Sequence, residues 1–147
     1  MGYTHYWTQT RDFTTLEWAE LAKGFFALIA NRPPDLALCA EHLGEEPFFD
    51  MNEPWFNGIG DEGHETFTLQ RQRTGFDFCK TAQKPYDLMV CAMLLYVENK
   101  IPGVLEISSD GDEKDWHDAW KFLGETFPSP DPGKRWNNWR FPPEVVR

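Results

Sequence analysis

The sequence predicts a single compact α+β domain, a mostly antiparallel sheet packed against about three helices. Three observations carry that prediction. Two stretches repeat apolar residues at helical spacing and a third is apolar nearly all round, several short stretches alternate apolar with polar residues, and core-forming residues are abundant. With 41% hydrophobic residues, 7 Trp and 12 Phe among 147 positions, the chain can bury a core of one domain's size. Residues 1–127 are read as that domain, and 128–147 as a Pro- and Trp-containing tail packed on its surface.

The first element is a strand. Tyr3, His5 and Trp7 alternate with Thr4 and Tyr6 in a β-favouring aromatic run, with one row of rings facing either the core or a ligand whose flat base or sugar it would suit. Thr14 followed by Glu17 has the form of a capping box, and Trp18, Leu21, Ala22, Phe25, Leu28 and Ile29 recur at helical spacing. A helix from Thr15 to Ala30 follows, stopped by Pro33 and Pro34. Leu36 to Cys39 reads as a short strand or a turn. Gly44 to Gly63, dense in Gly, Pro and acids, reads as a long loop anchored by Phe48, Phe49, Trp55 and Phe56, either a binding loop or an insertion.

His64 to Gln70 and Gly75 to Cys79 alternate as strands, with Arg71 to Thr74 as their hairpin connection. The first would bury Phe67 and Leu69, the second Phe76 and Phe78. Tyr86 to Val97 is apolar almost all round, as a core helix is. Val104 to Ser108 is a short strand, Asp110 to Asp112 a turn, and Trp116, Ala119, Trp120, Leu123 and Phe127 one face of a last helix. The tail lacks a period, and Trp136 and Trp139 are its expected anchors.

Charge narrows the partners. A formal net charge of −10 argues against duplex nucleic acid and anionic membranes, which need a basic footprint, while leaving room for a small anion at a local basic spot. No apolar run spans a bilayer, no signal-peptide layout is seen, and three cysteines, Cys39, Cys79 and Cys91, make a disulfide framework improbable. A soluble chain with reduced thiols, in a cytoplasm, is expected.

The best candidate site is the turn from Cys79 to Asp87. Pro85 at the first helical position would place a helix N-terminus near Lys84, where free N–H groups, the helix dipole, Lys80 and Lys84 would attract a phosphate or carboxylate. Lys80 is in phase with Phe76 and Phe78, so two readings stand for it: a ligand contact, or a buried pair with Asp87 or Asp110. His64 beside Glu65 and Asp61 could act as a base or metal ligand, but lacks a second His at helical spacing and reads more readily as a loop histidine. Ser108 to Asp115 has a calcium-loop look without the required spacing, and Asp112 reads as a helix cap with Asp115 in the first turn. Cys39 and His42 supply half a zinc site, Cys91 belongs to the core, and no metal or other cofactor is predicted. A nucleophilic Cys79, activated by Lys80 and His64, is the minor reading for that thiol.

The strings GYTHYW, FNGIGDEGHETF, FDFCKTAQKPYD and SSDGD, in this order, resemble a family of small uncharacterised proteins encoded by bacteria and their phages. The likeness spans Gly2 to about Phe127. It implies that Tyr3, His5, Tyr6, Trp7, Asn57, His64, Glu65, Cys79, Lys80, Thr81, Lys84, Tyr86, Asp87, Ser109 and Asp110 gather in space. Of these, Tyr3, His5, Tyr6, Trp7, Asn57, His64, Glu65, Lys80, Thr81, Lys84, Tyr86 and Asp110 are the expected ligand-binding set. Relatives often have a basic residue where this chain has Gln83, which implies a weaker anion site here.

The expected function is binding of a small phosphorylated or nucleotide-derived molecule in a bacterial cytoplasm, by analogy with phage proteins that sequester a host immune signal. One alternative is a hydrolase or transferase acting through His64, Glu65 and Asp110. Another is an inhibitor of a host defence protein, presenting its acidic surface, Trp136 and Trp139. A homo-oligomer with ligand at its interface suits a chain of this size.

Overall fold

A computed structural model of the chain describes residues 2–40, 48–49, 54–128 and 139–146. The elements in order are β1 (Thr4–Gln9), α1 (Thr15–Ala30), β2 (Leu38–Cys39), β3 (Phe48–Phe49), β4 (Pro54–Gly58), β5 (Phe67–Thr68), β6 (Phe76–Lys80), α2 (Asp87–Lys100), β7 (Leu105–Ser109) and α3 (Glu113–Thr126). The fold is α+β with antiparallel pairing throughout.

The helices follow their sequence signals. The Thr14 hydroxyl accepts the Glu17 N–H at 3.1 Å and the Glu17 carboxylate accepts the Thr14 N–H at 2.8 Å, so two otherwise orphaned donors start α1 reciprocally. Asp112 and Asp115 do the same for α3. Every residue of α2 from Met89 to Val97 is buried, because α1 and α3 flank it. Gly24 lets α1 approach α2: a Cβ there would lie 2.2 Å from the Tyr96 ring.

The strands form two small sheets rather than the single sheet expected. In the first, β1 is central, with β6 and β7 on its two sides. In the second, β4 pairs with β2, β3 and β5. The stretch after His64 therefore joins the second sheet, and Arg71 to Thr74 is not a hairpin. Phe67 lies opposite Phe56 of β4 in the register, and the two buried rings pack in the core with centroids 5.2 Å apart. The expected loop between Gly44 and Gly63 holds β3 and β4, since Pro54 to Gly58 alternates buried with half-buried residues, as a strand does. The side chains of Phe48 and Phe49, His42 and Trp136 lie outside the described residues.

The face of β6 is the reverse of the expected one. Phe76 and Phe78 are 63% and 49% exposed, whereas Cys79 is buried. The described part of the tail packs on the helices: Val145 is fully buried, the Trp139 ring lies 5.9 Å from those of Tyr96 and Phe127, and Asn99 exchanges two hydrogen bonds with the Arg140 backbone. No helix among the described residues is long and apolar enough to cross a membrane.

Candidate functional site

Strand β1 serves two sites, because its side chains alternate between the faces of the first sheet. His5, Trp7 and Gln9 point inward and are buried, while Tyr6 and Thr8 point outward.

On the inner face His5 is fully buried and has a partner on each ring nitrogen. Its cross-strand neighbour Ser109 places a hydroxyl 2.8 Å from Nδ1, and Asp87 places a carboxylate oxygen 2.6 Å from Nε2. Asp87 reaches this point through the turn from Thr81 to Tyr86. That turn hangs from the Tyr3 carbonyl, which accepts the N–H groups of Thr81 and Ala82. Ala82 and Gln83 both take the left-handed conformation, with φ of 53° and 56°, which strains residues that carry a Cβ. Thr81 donates its hydroxyl to Asp87 at 2.6 Å and accepts the Gln83 N–H, tying the strained turn to the carboxylate. Four residues after Asp87, on the same face of α2, the Cys91 sulfur lies 3.4 Å from His5 Nε2 and 3.6 Å from Asp87 Oδ2.

Ser109, His5 and Asp87 have the connectivity of a hydrolytic triad but not its chemistry. The Ser109 oxygen accepts the Gly111 N–H at 2.9 Å and the Trp116 indole N–H at 3.2 Å. With both lone pairs used, its proton points to His5 Nδ1, so Nε2 carries hydrogen and donates to Asp87. A buried serine whose acceptor sites are filled makes no attack on a substrate. Burial also holds the Cys91 thiol and the Tyr3 hydroxyl well above their usual pKa ranges.

A cleft of about 480 Å³ opens beside this network, between the 83–88 segment and α3, and both Asp87 and Cys91 line it. Its charged lining is Lys84 and Lys121 against Asp87, Asp115, Asp118 and Glu125. That acidic balance opposes the anion pocket expected there. So does the backbone. The helix begins at Asp87 rather than beside Lys84, and the N–H groups of Asp87, Leu88 and Met89 already bond to the carbonyls of Lys84, Pro85 and Tyr86. Asp87 itself supplies the negative charge of the first turn.

On the outer face, Tyr6 stacks on Phe76 at a ring separation of 6.2 Å and an interplanar angle of 23°, and Phe76 lies 6.2 Å from Phe78. Cross-strand pairing causes this, since Tyr6 is opposite Phe78 and Thr8 opposite Phe76. Lys80 continues the row and forms no ion pair among the described residues, so neither Asp87 nor Asp110 is its partner. Its side chain runs over Gly2, where a Cβ would lie 2.7 Å from Cε.

No protein-family model, curated protein or solved structure matches this chain.

The remaining expected residues separate by location. Trp7 is core, packed on Phe67. Tyr86 is buried and donates its hydroxyl to the Glu65 carbonyl. Glu65 clasps Lys80 through two backbone-directed bonds, its carboxylate accepting the Lys80 N–H and its own N–H reaching the Lys80 carbonyl. Asn57 brackets the backbone of the exposed His64, accepting its N–H and donating to its carbonyl. The Asp110 carboxylate accepts the Thr4 N–H at 3.0 Å and lies 3.4 Å from the Tyr6 hydroxyl. Burial, with Glu65 nearby, pushes the Cys79 thiol up to about 12, the opposite of an activated nucleophile.

The sequence reading missed Cys91 as a partner of His5 and Asp87. The signal was present, since Asp87 and Cys91 are four apart on a helix, but an apolar neighbourhood masked it.

Proposed function

We propose that the outer face of the β6-β1-β7 sheet binds a small nucleotide-derived molecule, with a base on the rings of Tyr6, Phe76 and Phe78 and a phosphate at Lys80. The observation that carries this reading is the ring row of half-buried Tyr6 and exposed Phe76 and Phe78, which ends in a lysine that forms no ion pair among the described residues. Leaving two phenylalanines in water lacks a folding rationale, and base stacking on such rings contributes about 1–3 kcal/mol per base. The net charge of −10 repels a long polyanion, so attraction must be short-ranged, which suits one or two phosphates better than a nucleic-acid strand. Sequestration of a host immune signal, the role suggested by the resemblance to phage-encoded proteins, is the biological form of this proposal.

The enzyme alternative has less support. No hydrogen bond or ion pair among the described residues joins His64, Glu65 and Asp110. The inhibitor alternative loses one anchor, because the Trp139 ring is packed against the helices.

Thermal-shift titration with mononucleotides and cyclic mono- and dinucleotides tests the proposal. A ligand at 100 times its Kd stabilises by about 2.7 kcal/mol, a rise in Tm of roughly 6–10 °C for a chain of this length. Phe78→Ala and Lys80→Ala should each abolish or sharply reduce the rise. Absence of a shift in wild type across the panel would sink the reading. Mass measured by light scattering with and without nucleotide shows whether a homo-oligomer competes for the same face, and mass spectrometry of the recovered nucleotide separates binding from turnover.

A further inference from the structure

The geometry points to a binding site for one divalent cation of the zinc type, held by His5 Nε2, the Asp87 carboxylate and Cys91 Sγ, with its fourth position open to the cleft beside α3. The three side chains each offer a ligand atom, and these atoms all lie within 4.8 Å of one another. An imidazole, a carboxylate and a thiol form a donor set that favours zinc or cobalt over magnesium or calcium. Tetrahedral bonds of about 2.0 Å to N or O and 2.3 Å to S place the N and S ligands about 3.5 Å apart, and the N and O ligands about 3.3 Å apart. The observed separations from Cys91 Sγ, 3.4 Å to His5 Nε2 and 3.6 Å to Asp87 Oδ2, already match. The 2.6 Å contact of His5 Nε2 with Oδ1, the other oxygen of the Asp87 carboxylate, must open, as a hydrogen-bonded pair does when a cation replaces the shared proton.

The surroundings suit the same role. Asp87 and Cys91 come from one face of α2 at i and i+4, a chelating spacing, and His5 comes from the strand beneath. Ser109 on His5 Nδ1 and Thr81 on Asp87 are the outer hydrogen-bond partners that orient metal ligands. The cleft reaches Asp87 and Cys91, and its excess of carboxylates favours entry of a cation. Binding moves the His5 proton from Nε2 to Nδ1, where Ser109 accepts it only by turning its own proton away and releasing one of its two acceptor bonds, the longer being that from the Trp116 indole at 3.2 Å.

The test uses the full chain, stripped with chelator and titrated with Co²⁺. One equivalent should bind and produce the near-ultraviolet thiolate-to-cobalt charge-transfer band, and Zn²⁺ should displace it. Cys91→Ala should remove the band and weaken Zn²⁺ binding by more than about 100-fold, while Cys79→Ala should keep both. Circular dichroism confirms that each variant is folded. Nitrogen-15 NMR should show the His5 tautomer change on adding Zn²⁺. A folded wild type without the band, or a band that persists in Cys91→Ala, overturns the proposal. Neither outcome bears on nucleotide binding at the outer face, whose residues are not among the ligands.

Discussion

The two faces of β1 differ in what their side chains have already satisfied. On the inner face each polar atom of the His5 group is committed: Ser109 holds one ring nitrogen, Asp87 the other, and Thr81 the carboxylate. On the outer face, one residue along, Tyr6, Phe76 and Phe78 form a row of ring contacts in which the two phenylalanines leave much of their surface in water. A satisfied buried network specifies structure and is costly to break, whereas a partly solvated aromatic row is cheap to alter and retains free energy for a ligand. Identity of residue type does not separate the two cases, since both faces carry aromatics and a basic side chain.

The largest expected effect breaks the inner face. Asp87→Ala removes the acceptor of both His5 Nε2–H and the Thr81 hydroxyl, leaving buried donors without partners, and should destabilise by roughly 3 kcal/mol in urea unfolding. A change below about 0.5 kcal/mol would show that the network is not structural. Phe76→Ala on the outer face is the matched experiment. Its stability should change by less than about 0.5 kcal/mol, while nucleotide affinity falls by about 1–3 kcal/mol, on the order of 5- to 150-fold by titration calorimetry.

A smaller effect belongs to the turn that joins the two faces. Ala82→Gly relieves a left-handed alanine and should stabilise the fold by about 1 kcal/mol, despite the added freedom of the unfolded chain. Thiol chemistry sharpens the same contrast. With Cys79 raised to about 12 and Cys91 fully buried, neither should react with an aromatic disulfide at pH 8 until denaturant is added.

The smallest effect is a control remote from both faces. Hydrogen bonds from Arg11 and from the Thr14 backbone lower the Glu17 carboxyl to about 2. A depressed carboxylate stabilises the fold above its ordinary pKa of 4.5 and loses that contribution as pH falls towards 2. Because this pair is largely solvated, the loss should be small. Acid unfolding of Glu17→Gln should show a slightly shallower pH dependence in that window, with nucleotide and cobalt binding unchanged at neutral pH.

What could be read from the chain alone was local. The capping box at Thr14 and Glu17 set the start of α1, Asp112 and Asp115 set the start of α3, and the apolar run after Tyr86 marked the central helix. Each depends on neighbours within a few positions, and such interactions form in whatever context the chain supplies. Alternation also revealed that Phe76, Phe78 and Lys80 share one side of their strand. It could not say which side, because a period of two defines two faces and leaves the choice of buried face to what packs against them. Here α2 and α3 cover the side of Cys79 and His5, so the rings face water.

The same limit hid the candidate metal centre. His5 meets Asp87 and Ser109 across sequence separations of 82 and 104 residues, and Cys91 looked like core because all its near neighbours are apolar. Sequence periodicity placed each of these residues on a face of its own element. Only the packing of α2 and β7 against β1 brought the imidazole, carboxylate and thiol together, because contacts over such separations follow from how elements pack and not from the spacing within any one of them.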